Sequence, residues 1–202
     1  SLILIILSGC AIGPHRGDPF ESTNRKIYSF NHYLDRAITK PVAKAYSRSV
    51  PITAQHGIRN FFKNLGMIST TLNNIFQLKL HKTPDDLLRI TLNSTVGIAG
   101  LFDVATKLGI PKHDEDFGQT LGYWGVGNGP FLMVPFLGPT TTRDGLVRPV
   151  DIIVNPISSL INDPEITYSL TSIQITDTRA RLLTLSDIVD QQLDPYAFIR
   201  DN

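Results

Sequence analysis

The strongest constraint on the fold is a mark of punctuation that recurs along the chain: an acidic or hydroxyl side chain followed at once by proline. Asp18-Pro19-Phe20-Glu21, Thr83-Pro84-Asp85-Asp86, Asp163-Pro164-Glu165 and Asp194-Pro195-Tyr196 all carry it. The first residue of each can accept from free backbone N–H groups, and the missing N–H of proline is harmless in the first turn of a helix. Glu21 adds the carboxylate that a capping box needs. The spacing therefore predicts helix starts at all of these places. Behind the first, Phe20, Ile27, Phe30, Leu34 and Ile38 recur at sums of three and four, the period of one helical face.

The segments between these marks continue the pattern. Residues 41–50, 53–65 and 68–78 read as short amphipathic helices, with Ile58, Phe61, Phe62 and Leu65 on one stripe and Leu72, Ile75 and Phe76 on another. A further helix over 101–108 should stop at Gly109 and Pro111. From Pro164 onward, Ile166, Leu170, Ile173, Leu182 and Leu183 predict a long helix, although the Thr/Ile alternation over 171–176 also suits a strand. The class is mainly α, and a chain of 202 residues leaves room for one domain with a sizeable core.

Residues 109–145 depart from this pattern. Gly118, Gly122, Gly125, Gly127 and Gly129 crowd together, and each would cost a helix about 1 kcal/mol against alanine. An irregular segment is expected. Inside it, Gly129 and Pro130 on one side and Gly138 and Pro139 on the other bracket the apolar run Phe131, Leu132, Met133, Val134, Pro135, Phe136 and Leu137. The unit is hairpin-like, but its central proline argues against a paired core strand. It is left either folding into the core or facing lipid or a partner. Arg143 and Asp144 follow directly and could contact a headgroup or, as the more ordinary alternative, fix the base of the hairpin.

The single cysteine, Cys10, excludes an internal disulfide and a cysteine metal cluster. It follows an aliphatic run from Leu2 to Leu7 and then Ser8 and Gly9, the pattern of a signal peptide ending in a lipobox. Residues 1–9 are thus expected to be a signal remnant, Cys10 the acylated residue and 10–17 a lipidated tether to a domain spanning 18–202. The alternative is a buried N-terminal strand. Several acyl chains, each worth about 0.8 kcal/mol per buried CH₂, would hold the chain at a membrane.

With 42% apolar residues, 18% charged residues and a net charge of +1, the chain has no long-range field for nucleic acid. A hydrolase would be a natural lipid-handling alternative, yet Gly-x-Ser-x-Gly, His-Glu-x-x-His, phosphate-loop and dinucleotide patterns are all missing. His113-Asp114-Glu115-Asp116 could supply metal ligands or paired carboxylates, but a solvated loop is the more ordinary interpretation. No catalytic residue, metal or cofactor is assigned.

Taken in order, several of these motifs resemble the MlaA/VacJ family of outer-membrane lipoproteins. The likeness runs over 18–202 and is carried by Asp18-Pro19-Phe20-Glu21 with Asn24-Arg25, Phe30-Asn31 with Leu34-Asp35, Asn60-Phe61 with Asn64-Leu65, and Asn93-Ser94-Thr95 with Gly97, Gly100 and Asp103. Its most specific stretch begins at Asp116-Phe117-Gly118-Gln119-Thr120-Leu121-Gly122 and continues through Trp124, the bracketed apolar run and Arg143-Asp144. Asp194-Pro195-Tyr196 with Arg200-Asp201 closes it. The segment Phe76-Gln77-Leu78-Lys79 departs from the family by lacking a glycine after Gln77. The resemblance implies an all-helical, ring-like bundle lying in the outer membrane from the periplasmic side, with an amphipathic channel. It implies phospholipid as cargo, a trimeric porin and a soluble periplasmic phospholipid carrier as partners, and indirectly an ATP-driven inner-membrane lipid transporter. A structural scaffold without a lipid path is the other possibility.

Overall fold

The computed structural model describes residues 17–202, so the expected signal remnant, Cys10 and all of the tether except Gly17 lie outside the described residues. Helices dominate: α1 (Glu21–Leu34), α2 (Lys40–Ser49), α3 (Ile52–Phe76), α4 (Thr83–Thr95), α5 (Val104–Lys107) and α6 (Phe117–Tyr123) precede strands β1 (Phe131–Val134) and β2 (Gly138–Thr141). After the strands come α7 (Thr142–Val154), α8 (Pro156–Leu160), α9 (Pro164–Arg181), α10 (Leu183–Asp190) and α11 (Pro195–Asp201).

The proline punctuation holds, but its acids divide into two uses. Asp163 caps α9 by accepting from the N–H groups of Glu165 and Ile166, and Asp194 caps α11 through Ala197. Thr83 is itself the first residue of α4 rather than its cap. Asp18 is no cap either: α1 begins after Phe20, and Asp18 is fully buried, accepting from Asn24 and from the hydroxyl of Tyr196. Tertiary partners outbid the free N–H groups for this carboxylate.

Three helix boundaries are also corrected. The separate helices expected over 53–65 and 68–78 are the single helix α3, with Gly66 in its interior, because packing against α4 and α9 outweighs the propensity cost of one glycine. Likewise α1 and α2 run on through a π turn at Asp35–Thr39. Pro41 has no N–H to offer the carbonyl four residues back and would crowd it, and a widened turn takes up the mismatch. Arg179 of α9 clamps that turn, its Nε and Nη2 donating to the Asp35 carboxylate at 2.6 and 2.7 Å. The helix expected over 101–108 shrinks to α5, and Gly109, at φ +75°, terminates it.

The packing partners follow one another around a closed circuit. Helix α1 lies on β1, the hairpin on α7, α7 on α6 and α8, these on α3, α3 on α9, α9 on α2, and α2 returns to α1 through the π turn. Helix α4 packs outside α3. The ring-like order implied by the resemblance is thus present in the packing.

Burial is inverted relative to a water-soluble domain. Among the described residues the buried apolar set is small, comprising Ala43, Phe62, Met67, Ala105, Met133, Ile157 and Tyr196. Asn24, Asn64, Asn73, Asn74, Gln77, Asp86, Arg89, Asn93, Thr120 and Asp177 are buried beside them. Meanwhile Phe76, Leu87, Val96, Phe102, Trp124, Ile153, Tyr168 and Ile175 are exposed. The expected stripe of Leu72, Ile75 and Phe76 therefore faces outward rather than into a core. Such polar residues tolerate burial because they bond one another, and isolated exposed apolar groups are ordinary, but so many together mark a surface that meets something other than water.

Candidate functional site

The bracketed apolar run is a two-stranded antiparallel hairpin, pairing Phe131 with Thr141, Leu132 with Thr140, Met133 with Pro139 and Val134 with Gly138. This corrects the expectation that its proline forbids pairing. Pro135 lies in the turn, outside both strands. Pro139 sits inside β2 but opposite Met133, whose N–H points away from β2 to the side-chain oxygen of Asn24 at 2.9 Å. The pair needs no donor from Pro139, so the ladder loses nothing. At the tip, Phe136 takes φ +65° and Gly138 φ +84°, which closes the turn.

The other edge of β1 is satisfied by a helix, which is uncommon. Asn24 accepts from the N–H of Met133 and donates to the carbonyl of Phe131 at 3.2 Å; Asn31 accepts from the N–H of Phe136 at 2.8 Å and donates to the carbonyl of Val134 at 2.9 Å. Each side-chain amide imitates a peptide group of a neighbouring strand. The geometry closes because seven residues of α-helix and three of extended strand both advance about 10 Å. In the sequence Asn24 and Asn31 stand out only as members of the pairs Asn24-Arg25 and Phe30-Asn31, and sequence reasoning missed this clasping role. Their signal was the seven-residue spacing of two asparagines on one face of an amphipathic helix.

The start of the described chain and its last helix meet beneath this clasp. Tyr196 is buried, with its hydroxyl on Asp18 and its ring edge-on to Tyr28 and Phe131. Burial, followed by the hydrogen bond to Asp18, pushes the Tyr196 hydroxyl well above its ordinary pKa. Arg25 covers the same ring at 4.4 Å and forks onto Asp194 at 3.0 and 2.7 Å. The N–H of Phe131 donates to the carbonyl of Gly17. The hairpin is thus buried along β1, where Met133 is 4% exposed, and bare at its tip, where Phe136 is 78% exposed and meets the ring of Phe30 edge-on. Leu137 and Pro135 are exposed beside it.

Arg143 and Asp144 bond each other at 2.8 Å, and Arg143 also donates to the carbonyl of Val126. The N–H groups of Thr142 and Arg143 donate to the carbonyls of Pro130 and Asn128, which ties the hairpin base to α7. This pair explains two of the crowded glycines: a Cβ on Gly118 would lie 2.4 Å from Asp144 and one on Gly122 2.6 Å from Arg143. Those glycines nevertheless form helix α6, whose cap is Asp116.

The 113–116 run is no merely solvated loop, contrary to the ordinary interpretation of such charges. His113 Nδ1 lies 2.8 Å from the fully buried Asp86, which also accepts from Asn74. Glu115 accepts from Gln77, Lys79 and Lys82. Burial acts to raise the Glu115 carboxyl, but the bonds from Lys79, Gln77 and Lys82 outweigh it and hold it below its usual range. The described residues contain no group of three or more His, Cys, Asp or Glu arranged to hold a metal ion.

Two cavities accompany these elements. A cleft of about 450 Å³ opens between α3, residues 112–116 and α7, and most of the residues that line it are polar or charged, including Lys63, Ser69, Thr70, Lys112, Arg148 and Asp151. A groove of about 410 Å³ runs between α1, the hairpin and α10, lined by Tyr28, Met133, Leu182, Leu185, Val189 and Ile199 with Asp35 and Arg179 at one side. The described residues thus offer one compartment rich in charged side chains and one with a mostly apolar lining, and no described helix is long and apolar enough to cross a membrane.

Comparison with known proteins joins these features to a family. The family model described as MlaA lipoprotein matches residues 16–202. An uncharacterized protein of Rickettsia bellii is 36% identical over 186 residues, covering 91% of this chain and 72% of the relative. The intermembrane phospholipid transport system lipoprotein MlaA of Escherichia coli (strain K12) is 34% identical over 205 residues, covering 97% of this chain and 80% of that protein. A solved structure described as the structural basis for maintenance of bacterial outer membrane lipid asymmetry superposes with a TM-score of 0.75 at 30% identity, over 92% of this chain and 94% of the other. A family model that spans all of the described residues, together with a solved structure that shares the fold, assigns the chain to the MlaA lipoprotein family.

Proposed function

We propose that this chain removes phospholipid from the outer leaflet of the outer membrane through the middle of its helical circuit and passes it to a periplasmic carrier, as a component of intermembrane phospholipid transport. The observation that carries the proposal is the inverted burial, with asparagines, glutamines and charges inside and aromatic and aliphatic groups outside. In hydrocarbon, every backbone group must be satisfied internally and irregular backbone must be shielded by protein, conditions that a ring of helices meets. A lipid crossing such a ring needs a wet path for its headgroup and apolar surroundings for its tails. The polar cleft and the apolar groove are surfaces of those two kinds. The chemistry is passive movement, with no bond broken and no catalytic residue assigned.

The hairpin is the gating or lipid-facing element in this scheme, with Gly129 just before its first strand and Gly138 at its turn. Phe131 packs against Tyr196, so the informative substitution is at the bare tip. Phe136→Asp should change the rate of lipid transfer from proteoliposomes by about an order of magnitude, while costing well under 1 kcal/mol in stability as an exposed substitution. Unchanged transfer at equal protein levels would rule out the hairpin as gate.

Cys10 as acylated anchor, a trimeric porin as membrane partner and a soluble carrier as acceptor complete the proposal. Loss of the thiol by Cys10→Ala should leave an unprocessed precursor or free the chain from membranes on fractionation. Normally acylated, membrane-bound protein in that variant would refute the anchor.

A further inference from the structure

The cleft between α3, residues 112–116 and α7 carries charges that the protein itself does not use. Lys63, Lys112 and Arg148 line it, and none of their side chains makes an ion pair or a hydrogen bond among the described residues. Elsewhere Arg25, Lys40, Lys79, Arg89, Arg143, Arg179 and Arg200 each have a carboxylate within 3.0 Å. Lys26, Arg36, Lys44, Arg48 and Lys107 make no ion pair among the described residues either, so what sets Lys63, Lys112 and Arg148 apart is that all three line one cavity together with carboxylates. The same cavity holds Asp114, whose carboxylate makes no ion pair among the described residues, and Asp151, which accepts from the N–H of Phe117 at 3.1 Å.

Positive and negative groups share the cavity without meeting. Burial first, and then Lys112, Arg181 and Arg59, lower the pKa of Lys63; burial, with Asp116 and Asp144, raises that of Asp151 despite the N–H of Phe117 and the nearby Arg148. Like charges outnumber opposite ones around each group, since Asp103 opposes three cations at Lys63 and Arg148 opposes Asp116 and Asp144 at Asp151. What both lack is a mobile counter-charge, an anion for the Lys63 and Lys112 side and a cation for the Asp114 and Asp151 side. One ligand that carries both charges a few ångströms apart would supply them together.

We infer that this cleft is a headgroup site for a zwitterionic phospholipid bearing a primary ammonium, with the phosphodiester on Lys63, Lys112 and Arg148 and the ammonium on Asp114 and Asp151. The ammonium is specified as primary because none of the residues lining the cleft is a Phe, Tyr or Trp. A quaternary ammonium has no N–H to donate and is recognised by aromatic faces, whereas a primary one donates directly to carboxylates. His113 also lines the cleft, with its Nδ1 2.8 Å from the buried Asp86 carboxylate. The site rests on the proposed lipid path, whose selectivity it would set.

The test measures binding of short-chain phospholipids, phosphoethanolamine, phosphocholine and phosphoglycerol in turn, to the full chain in detergent, alongside bilayer-to-acceptor transfer of the same headgroups. The wild type should favour phosphoethanolamine over phosphoglycerol by about tenfold, the worth of a charge-assisted hydrogen bond. Asp151→Asn combined with Asp114→Asn, which keeps an acceptor for Phe117, should erase that preference. Lys63→Gln with Arg148→Gln should weaken all three lipids alike. Equal binding of the three headgroups by the wild type, or a preference untouched by the aspartate pair, overturns the headgroup site and leaves the lipid path standing. A wild type that neither binds nor transfers any of them overturns both.

Discussion

Asn24→Ala is expected to lower the stability of the folded chain by about 2–4 kcal/mol, against about 1 kcal/mol for Asn31→Ala, although both side chains make the same kind of clasp. Asn24 is buried, and its amide joins the Asp18 carboxylate, the carbonyl of Phe131 and the N–H of Met133. Its loss leaves a fully buried carboxylate with one fewer donor and two strand groups without partners where water cannot follow. Asn31 is half-buried near the tip, so solvent can take over the carbonyl of Val134 and the N–H of Phe136. Denaturant unfolding in detergent measures the difference. Amide hydrogen exchange localises it: Met133 should lose protection in Asn24→Ala, and Phe136 in Asn31→Ala. Equal costs for the two substitutions would mean that the clasp at Asn24 is not a buried network.

Gly97→Ala should be at least as damaging, at about 3 kcal/mol or more, because its obstacle is backbone. A Cβ there would lie 2.3 Å from the carbonyl oxygen of Phe102 and 2.4 Å from that of Asn93. Neither can give way. The N–H of Phe102 donates to the carbonyl of Gly97 and that of Gly100 to the carbonyl of Asn93, closing a turn in which Ile98, Ala99 and Gly100 take φ of +52°, +54° and +89°. Successive left-handed residues cost about 1–2 kcal/mol each, more for a β-branched side chain, and persist only when the surroundings enforce them. Here Asn93 enforces the turn by accepting from the N–H of Ala105 and donating to Asp103, which in turn holds the buried Arg89. Gly66→Ala is the control. Its Cβ would meet nothing within 4 Å inside α3, and it should stabilise the chain by about 0.5–1 kcal/mol through helix propensity. Thermal unfolding of the two variants should move in opposite directions. A Gly97→Ala protein with wild-type stability would show that the turn can relax, contrary to its backbone bonding.

The same contrast between local and distant causes separates what was legible in the amino-acid order. Helix starts at Pro164 and Pro195 follow from a capping aspartate and a residue without an N–H, and both appear where the spacing predicts them. The interruption after α6 is equally local, since Gly125 and Gly129 take φ of +90° and +68°. Asp18 carries the same local signal as Asp163 and yet became a buried acceptor, because its partners Asn24 and Tyr196 lie 6 and 178 residues away. Nothing in a local window encodes the second of those separations.

The candidate site divides in the same way. The apolar run from Phe131 to Leu137 stood out by its bracketing glycines and prolines, but its pairing did not, because whether a proline harms a strand depends on which side of the ladder its missing N–H would face. That is decided by Asn24 on a separate helix, which takes the N–H of Met133 away from β2. The polar cleft was not legible at all: Lys63, Asp114 and Arg148 look like ordinary solvated charges in sequence, and only the return of α7 past α3 brings them to one cavity. The amino-acid order by itself determined where helices start, where the chain must turn and that it belongs among lipid-handling proteins. The tertiary structure alone decided which polar groups are buried and which apolar ones are bare, because burial depends on partners that the chain reaches only after it has closed its circuit.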